Sequence, residues 1–406
     1  MKANYKKIGE QIQLVDERNK GLQVNQLLGL SISKQFIPSV ANIIGTDMST
    51  YRIINRNQFA YSPVTSRNGD KMTIALFQDY DKALISQAYT VFEVTDTEGV
   101  LPEYLMMWFR RPEFDRYTRF KSHGSAREIF EWADMCETEL PIPSIEKQKE
   151  IVKEYNTIID RIKLNNQLIQ KLEETAQAVY KQWFVDFEFP NTEGVPYKAN
   201  GGEMVESELG EIPKGWEWKN IGDIIETIGG GTPSTEEEDF WRDGEILWYS
   251  PTDVTKSNSI FSNITEKRIT KLGLQKSSAK NFPANCLLMT SRATIGKLTI
   301  NTKEATTNQG FITLIPTNVI SVFHLYDWVK TQLDEINSLA TGSTFPEISK
   351  SDFRNLKFPL ANDSILGKYN KLIFSLFNEI RFKNEENEFL EKMKNILLSK
   401  LATMKN

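Results

Sequence analysis

The stretch IEKQKEIVKEYNTIIDRIKLNNQLIQKLEETAQAVYKQWF, residues 145–184, holds no Gly or Pro and repeats apolar residues in two series seven apart. One series is Ile151, Ile158, Asn165, Leu172 and Val179; the other is Tyr155, Ile162, Ile169, Ala176 and Trp183. Alternating steps of three and four place both series on one side of an α-helix, the pattern of a coiled-coil seam. At ~1.5 Å per residue such a helix extends roughly 60 Å, and its seam needs an apolar partner. The chain supplies one near its end, where Tyr369, Leu376, Lys383, Leu390 and Leu397 alternate with Ile373, Ile380, Asn387, Lys394 and Leu401. Asn165 and Asn387 interrupt the two seams. Either they are tolerated polar substitutions or they fix the register by a polar contact.

Working outward, the segments before the two helices also correspond. Gly124-Ser125 matches Gly342-Ser343, Asp134-Met135 matches Asp352-Phe353, and Leu140-Pro141-Ile142 matches Phe358-Pro359-Leu360, all at an offset of 218. Upstream the offset drifts, as loop insertions cause. Gln87-Ala88-Tyr89 pairs with Gln309-Gly310-Phe311 at 222, Leu105 and Trp108 with Leu325 and Trp328 at 220, and Thr65-Ser66-Arg67 with Thr290-Ser291-Arg292 at 225. A repeat this long is a duplicated domain, because solenoid units are far shorter. Strands are predicted at 89–94 and 310–315, and short helices at 102–110 and 321–333. The stretch 189–215 is rich in Gly and Pro and reads as a linker.

The 406 residues, 40% hydrophobic and 25% charged, suffice for two or three domains with their own cores. Two cysteines (Cys136, Cys286) and two histidines (His123, His324), far apart in sequence, exclude a disulfide framework and a Cys/His zinc cluster. No run approaches the roughly 20 apolar residues of a membrane span, and the start lacks the apolar core of a secretion signal, so a cytoplasmic protein without membrane contact is expected. Phosphate-loop, nucleophile-elbow and base-flipping methyltransferase motifs do not occur, and the lone Glu217-Trp218-Lys219 lacks the Pro-Asp partner of a metal nuclease. The expectation is a non-catalytic chain.

Gly124-Ser125-Ala126-Arg127, Trp132, Asp134 and the run from Pro141 to Ile151 resemble the end of a target-recognition domain entering the conserved helix of type I restriction-modification specificity subunits. Gly215-Trp216, Gly229-Gly230-Gly231-Thr232-Pro233-Ser234, Trp248, Asp253 and Thr307-Asn308-Gln309-Gly310-Phe311 resemble the start and middle of a second such domain. The first domain is similar at Phe59-Ala60-Tyr61-Ser62-Pro63 and Ile85-Ser86-Gln87-Ala88-Tyr89, with Ser62 where the family more often has Asn and with no glycine-rich loop.

The resemblance implies an α+β fold: two tandem mixed α/β target-recognition domains separated by two long helices packed as an antiparallel coiled coil, with pseudo-twofold repeat. The expected order is recognition domain 1–143, helix 144–187, linker 188–214, recognition domain 215–360 and helix 361–406. It implies double-stranded DNA as ligand, one half-site per domain. It further implies two methyltransferase (M) subunits and restriction/motor (R) subunits as partners, which carry S-adenosylmethionine, ATP and Mg; no cofactor is expected in this chain. The alternative is a scaffold whose globular copies bind protein.

Base edges are read by Arg or Lys at guanine and Asn or Gln at adenine. The Thr-Ser-Arg triplets make Arg67 with Lys71 and Arg292 with Lys297 the first candidates for DNA contact; the competing reading is that both arginines brace their own loops. Gly230, Gly231, Thr232 and Ser234 form a loop able to bring backbone amides to a phosphate, or an ordinary turn. Arg116, Arg119 and Lys121, beside Arg110 and Arg111, read as a solvated helix face or as phosphate-positioning cations. Gln87 and Gln309 are expected to secure strands, and Trp183 to close the helix seam, with Phe184 a possible partner anchor.

The net charge of -5 is uneven. Residues 1–143 carry -1, 144–185 carry +1, 186–245 carry -12, 246–360 carry +5 and 361–406 carry +2. Acidity is confined to one stretch, and the second recognition domain beyond it is basic. Phosphate contacts alone should therefore give modest affinity, with positive charge added by partners.

Overall fold

The computed structural model describes residues 5–403 apart from 40–44, 67–68, 70, 125–126, 258 and 343. The chain forms two compact units, Met1–Ile162 with Phe389–Asn406, and Lys163–Glu388. Both long helices, Ile145–Tyr180 and Asp363–Lys400, contribute to each unit. Each is opened by a polar cap: Lys147 N–H donates to Ser144 Oγ (3.4 Å) and Ile365 N–H to Asn362 Oδ1 (3.1 Å). The first helix ends in a wider π turn over Lys181–Val185.

In the first unit one sheet has the order Ile12–Val15, Thr90–Val94, Phe59–Tyr61, Ile74–Leu76, all antiparallel. A second sheet orders Phe36–Pro38, Leu27–Leu30, Lys82–Ile85 and Arg52–Asn55, with Leu27–Leu30 and Lys82–Ile85 parallel. The first strand, Tyr5–Lys7, pairs with Glu139–Pro141 immediately before the long helix. The core joins Phe59, Phe92, Tyr104, Phe109, Phe114 and Phe130 to Ile151, Tyr155 and Ile158 of the first long helix, Leu397 and Leu398 of the second, and Leu401 of the turn that follows it.

The second unit repeats this plan. Glu226–Gly229, Phe311–Ile315, Leu287–Thr290, Leu298–Asn301 and Phe261–Ser262 form one sheet, and Lys267–Ile269, Ile246–Tyr249 and Ala305–Thr307 another, its last pair parallel. Glu217–Asn220 pairs with Lys357–Leu360 just as the chain's start does in the first unit. The helices Pro102–Phe109 and Val322–Thr331 are the two copies of one element, with Trp108 and Trp328 at matching positions. Ile169, Ala176 and Tyr180 pack with Tyr369, Ile373, Phe377 and Ile380, the seam of the two long helices running antiparallel.

Three sequence expectations acquire a definite outcome. Asn165 Nδ2 donates to Asn387 Oδ1 (3.0 Å) and Asn387 Nδ2 to Asn166 Oδ1 (2.8 Å), so the polar interruptions face each other as a register contact. Trp183 is buried with its ring 5.7 Å from Tyr369, in the seam as expected. Phe184, offered as a partner anchor, is instead buried, 4.8 Å from Tyr369. The Gly/Pro-rich stretch is more than a tether. Phe189 and Ile212 enter the second unit's core, Phe189 stacks on Trp216 at 5.1 Å, and Met204–Val205 pairs with Ile212–Pro213. Its aromatic residues, and not its Gly content, decide that outcome.

Candidate nucleic-acid interface

The second unit gathers most of the sequence candidates at one end of its main sheet. The ladder between Leu287–Thr290 and Phe311–Ile315 pairs Thr290 with Phe311, and Ser291 N–H continues it to the Gly310 carbonyl (2.8 Å). There the ladder ends: Gln309 lies in the turn before the strand, and Arg292 bridges to Glu347 of the returning segment. The glycine loop is held against the same edge: Gly231 N–H donates to the Thr307 carbonyl (2.9 Å), and the Thr232 hydroxyl to Gln309 Oε1 (2.7 Å).

The glycines of this loop are required by close approach. A Cβ on Gly230 would fall on the carbonyl oxygens of Thr307 and Asn308, and one on Gly231 on Ser278. The Gly231 carbonyl accepts from Trp248 Nε1 (3.0 Å), which fixes the loop from below. Thr232 and Ser234 are exposed. Ser234 Oγ accepts from the Glu236 N–H (3.3 Å), the first of four consecutive exposed carboxylate residues through Asp239.

Two lysine-bearing segments meet this loop. Lys350 Nζ lies over Gly229. Ser278 and Ala279, which touch Gly231, are flanked by exposed Lys276 and Lys280. Lys297 is exposed, and the Arg292 side chain is half-exposed with its Nε 3.7 Å from Glu347. Sequence reasoning placed the +5 charge in this domain but attached it to no residue beyond Arg292 and Lys297. Lys276, Lys280 and Lys350 were hidden because their neighbours here lie 45 to 120 residues away in the chain.

The matching end of the first unit has different chemistry. Carrying the strand pairings across, Tyr5–Lys7 corresponds to 218–220 and Ile12–Val15 to 225–228, so Asp16, Glu17 and Arg18 occupy the place of Gly229, Gly230 and Gly231. Asp16 pairs with Arg18 (2.7 Å) and Arg52 (3.4 Å), while Glu17 accepts from Asn55 Nδ2 (2.8 Å). Charged side chains knit this edge where the second unit uses bare backbone.

The equivalence of the two Thr-Ser-Arg triplets does not survive in three dimensions. Tyr61 pairs with Thr90 as Met289 pairs with Ile312, and Phe130 N–H reaches the Pro63 carbonyl as Ile348 N–H reaches that of Ser291. The residue matching Arg292 is thus Val64, and both share the bridge to the returning segment, Val64 with Ile129 and Arg292 with Glu347. The loop between paired strands is four residues longer in the first unit, 62–73 against 290–297, which slides the triplet out of register. Arg67 lies outside the described residues; Lys71 is exposed and matches no lysine of the second unit.

Other candidates separate. Arg116 pairs with Glu113 (3.3 Å), Arg119 with Glu128 (3.2 Å) and Lys121 with Asp134 (3.8 Å), the arrangement of a solvated, internally compensated helix face. Beside them Lys34 is buried against Asp115 (2.7 Å), and burial holds its ammonium below the ordinary lysine range. Gln87 and Gln309 were expected to secure strands through buried amides; both side chains are exposed, because each sits just before its strand begins.

Among the described residues no group of three or more His, Cys, Asp or Glu is placed to hold a metal, and no helix is long and apolar enough to cross a membrane. Residues 48–174 and 213–392 match the family described as type I restriction modification DNA specificity domain. The chain is 35% identical over 193 residues to the type I restriction enzyme MjaIX specificity subunit of Methanocaldococcus jannaschii, covering 47% of this chain and 44% of that protein. It is 24% identical over 415 residues to the HindI specificity subunit of Haemophilus influenzae, covering 89% of both. The S subunit structure from M. genitalium superposes with a TM-score of 0.56 at 14% identity, covering 99% of this chain and 96% of that one. The two copies of one module, each with its own matched segment, thus belong to the type I restriction-modification DNA specificity family.

Proposed function

We propose that this chain reads a bipartite DNA target for a type I restriction-modification complex, one half-site with each recognition module, and performs no chemistry itself. The observation that carries the reading is the duplication within a DNA-specificity family, joined to the exposed ladder end of the second unit, where Lys350 and the segment carrying Lys276 and Lys280 meet a glycine loop and Arg292 and Lys297 are exposed nearby in the ladder's end loop. Cations there suit phosphates, and the polar ladder end suits base edges. Gly230, Gly231, Thr232 and Ser234 are assigned to this surface, as is Lys71 in the first unit; Arg116, Arg119 and Lys121 are at most phosphate-positioning groups.

The partners are two M subunits and the R subunits, which bring S-adenosylmethionine, ATP and Mg. The second long helix offers apolar surface for protein contact: Phe374 and Phe382, then Phe389, Met393 and Ile396, are all exposed. An internal repeat presents related surfaces twice, which suits two copies of one partner.

A gel shift of the full chain with its M partner against duplex DNA and random-sequence competitor tests the reading. Sequence-selective retention is expected, with a bipartite adenine-methylated site in genomic DNA. Retention of no sequence over competitor, with or without the M partner, overturns it in favour of a protein scaffold.

A further inference from the structure

Gln309 is exposed, yet its amide is not loose. The Thr232 hydroxyl donates to Oε1 at 2.7 Å, which orients the amide while leaving Nε2 and a second Oε1 lone pair turned to solvent. Arg292 lies beside the same turn, one residue past the last ladder bond, from Ser291 N–H to the Gly310 carbonyl. The approach is close, since a Cβ on Gly310 would lie 4.0 Å from that of Arg292. The ion pair from Arg292 to Glu347 is long, 3.7 Å, and half-exposed, so a better acceptor can displace it.

We infer that Gln309 and Arg292 form a two-residue base-reading element, Gln309 for adenine and Arg292 for guanine at neighbouring base pairs. The inference rests on the proposed DNA-reading function and names its contacts. An oriented glutamine amide offers the donor and acceptor that match adenine N7 and N6, and a guanidinium the two donors that match guanine O6 and N7. With Arg292 against Gly310, the residue next to Gln309, the two side chains start close enough to reach base pairs one step of ~3.4 Å apart. In the first unit Val64 takes the place of Arg292 and bridges to Ile129, so the guanine contact belongs to the second half-site alone.

The test selects target duplexes from a randomised pool with the full chain in complex with its M partner, comparing the parent with Gln309→Ala, Gln309→Glu and Arg292→Ala. Gln309→Ala is expected to relax one adenine position of one half-site by about 10- to 100-fold, and Arg292→Ala the adjacent guanine by a similar factor. Gln309→Glu leaves only acceptors and is expected to shift its position towards cytosine, a change that misfolding does not produce. Unchanged preference at every position in the variants, with a bipartite parent site, overturns the element and leaves the function standing. Uniform weakening without changed preference assigns phosphate contacts and also overturns it. A parent that selects no sequence overturns the function itself.

Discussion

The two recognition modules share the strand order of their main sheets and place a tryptophan at the same helix position, but their buried chemistry differs. The helix Pro102–Phe109 of the first is apolar on its buried side, with Tyr104 Oη donating to the Pro141 carbonyl (2.9 Å). Its counterpart Val322–Thr331 buries His324 where Tyr104 stands and Asp327 where Met107 stands. Neither nitrogen of His324 has a hydrogen-bond partner among the described residues, and burial presses its pKa down to about 3. Burial raises Asp327 to about 7, although Gln177 Nε2 and Tyr369 Oη both donate to its carboxylate. One scaffold therefore tolerates an apolar core in one copy and an ionisable one in the other, which teaches that the backbone plan, and not any one core residue, is what was duplicated.

The largest effect is expected from removing the shared tryptophan. Trp328→Ala removes a fully buried indole and should destabilise the second unit by about 3–5 kcal/mol, with Trp108→Ala in the first at the lower end of that range because its ring is less completely enclosed. Urea unfolding of each variant measures both; equal, small losses would deny the equivalence.

Next comes the ionisable pair. The unfolded chain protonates His324 near its usual 6.5 while the fold keeps it neutral, so this group adds stability as pH rises from about 3 to 6.5. Asp327 does the opposite: the fold retains a proton that the unfolded chain loses near 3.8, and stability falls as pH rises from about 4 to 7. Between pH 4 and 6.5 the slopes oppose. His324→Leu should expose a decline of roughly 3 kcal/mol across that window and Asp327→Leu a rise of similar size. Melting curves at several pH values decide; parallel profiles for both variants would contradict the opposed slopes.

The glycine edge gives a smaller contrast. Gly230→Ala forces a Cβ onto two carbonyl oxygens and should cost about 1–3 kcal/mol, whereas Glu17→Ala at the matching place should stay within about 0.5 kcal/mol, as an exposed side chain does. Thermal melts of the two variants compare them. Smallest is the charge contrast: neutralising Lys276 and Lys280 should each lower the salt slope of DNA binding by about 0.9, while Arg116→Ala, already paired with Glu113, should leave it nearly unchanged. Binding isotherms at several salt concentrations would reverse that assignment if Arg116 moved the slope more.

Much of this was legible beforehand. The seam of residues 145–184, its partner after Asn362, the duplication and the short helices around Trp108 and Trp328 follow from periodicity and offset, because helix contacts recur every three or four residues and leave their mark in local order. The interface was legible only in part. Arg292, Lys297 and the glycine loop were singled out beforehand, yet the Thr-Ser-Arg triplets misaligned the modules by three residues, and Gln309, expected to be buried, is exposed.

The sequence by itself thus determined the elements, their duplication and their order, since each depends on residues close in the chain. Tertiary structure alone decided which loop residue stands opposite which, because ladder register is set by hydrogen bonds between strands far apart in sequence, and one inserted loop residue moves every later side chain. That is why Val64, and not Arg67, is the counterpart of Arg292, and why Lys350 and the segment carrying Lys276 and Lys280 meet at one glycine loop.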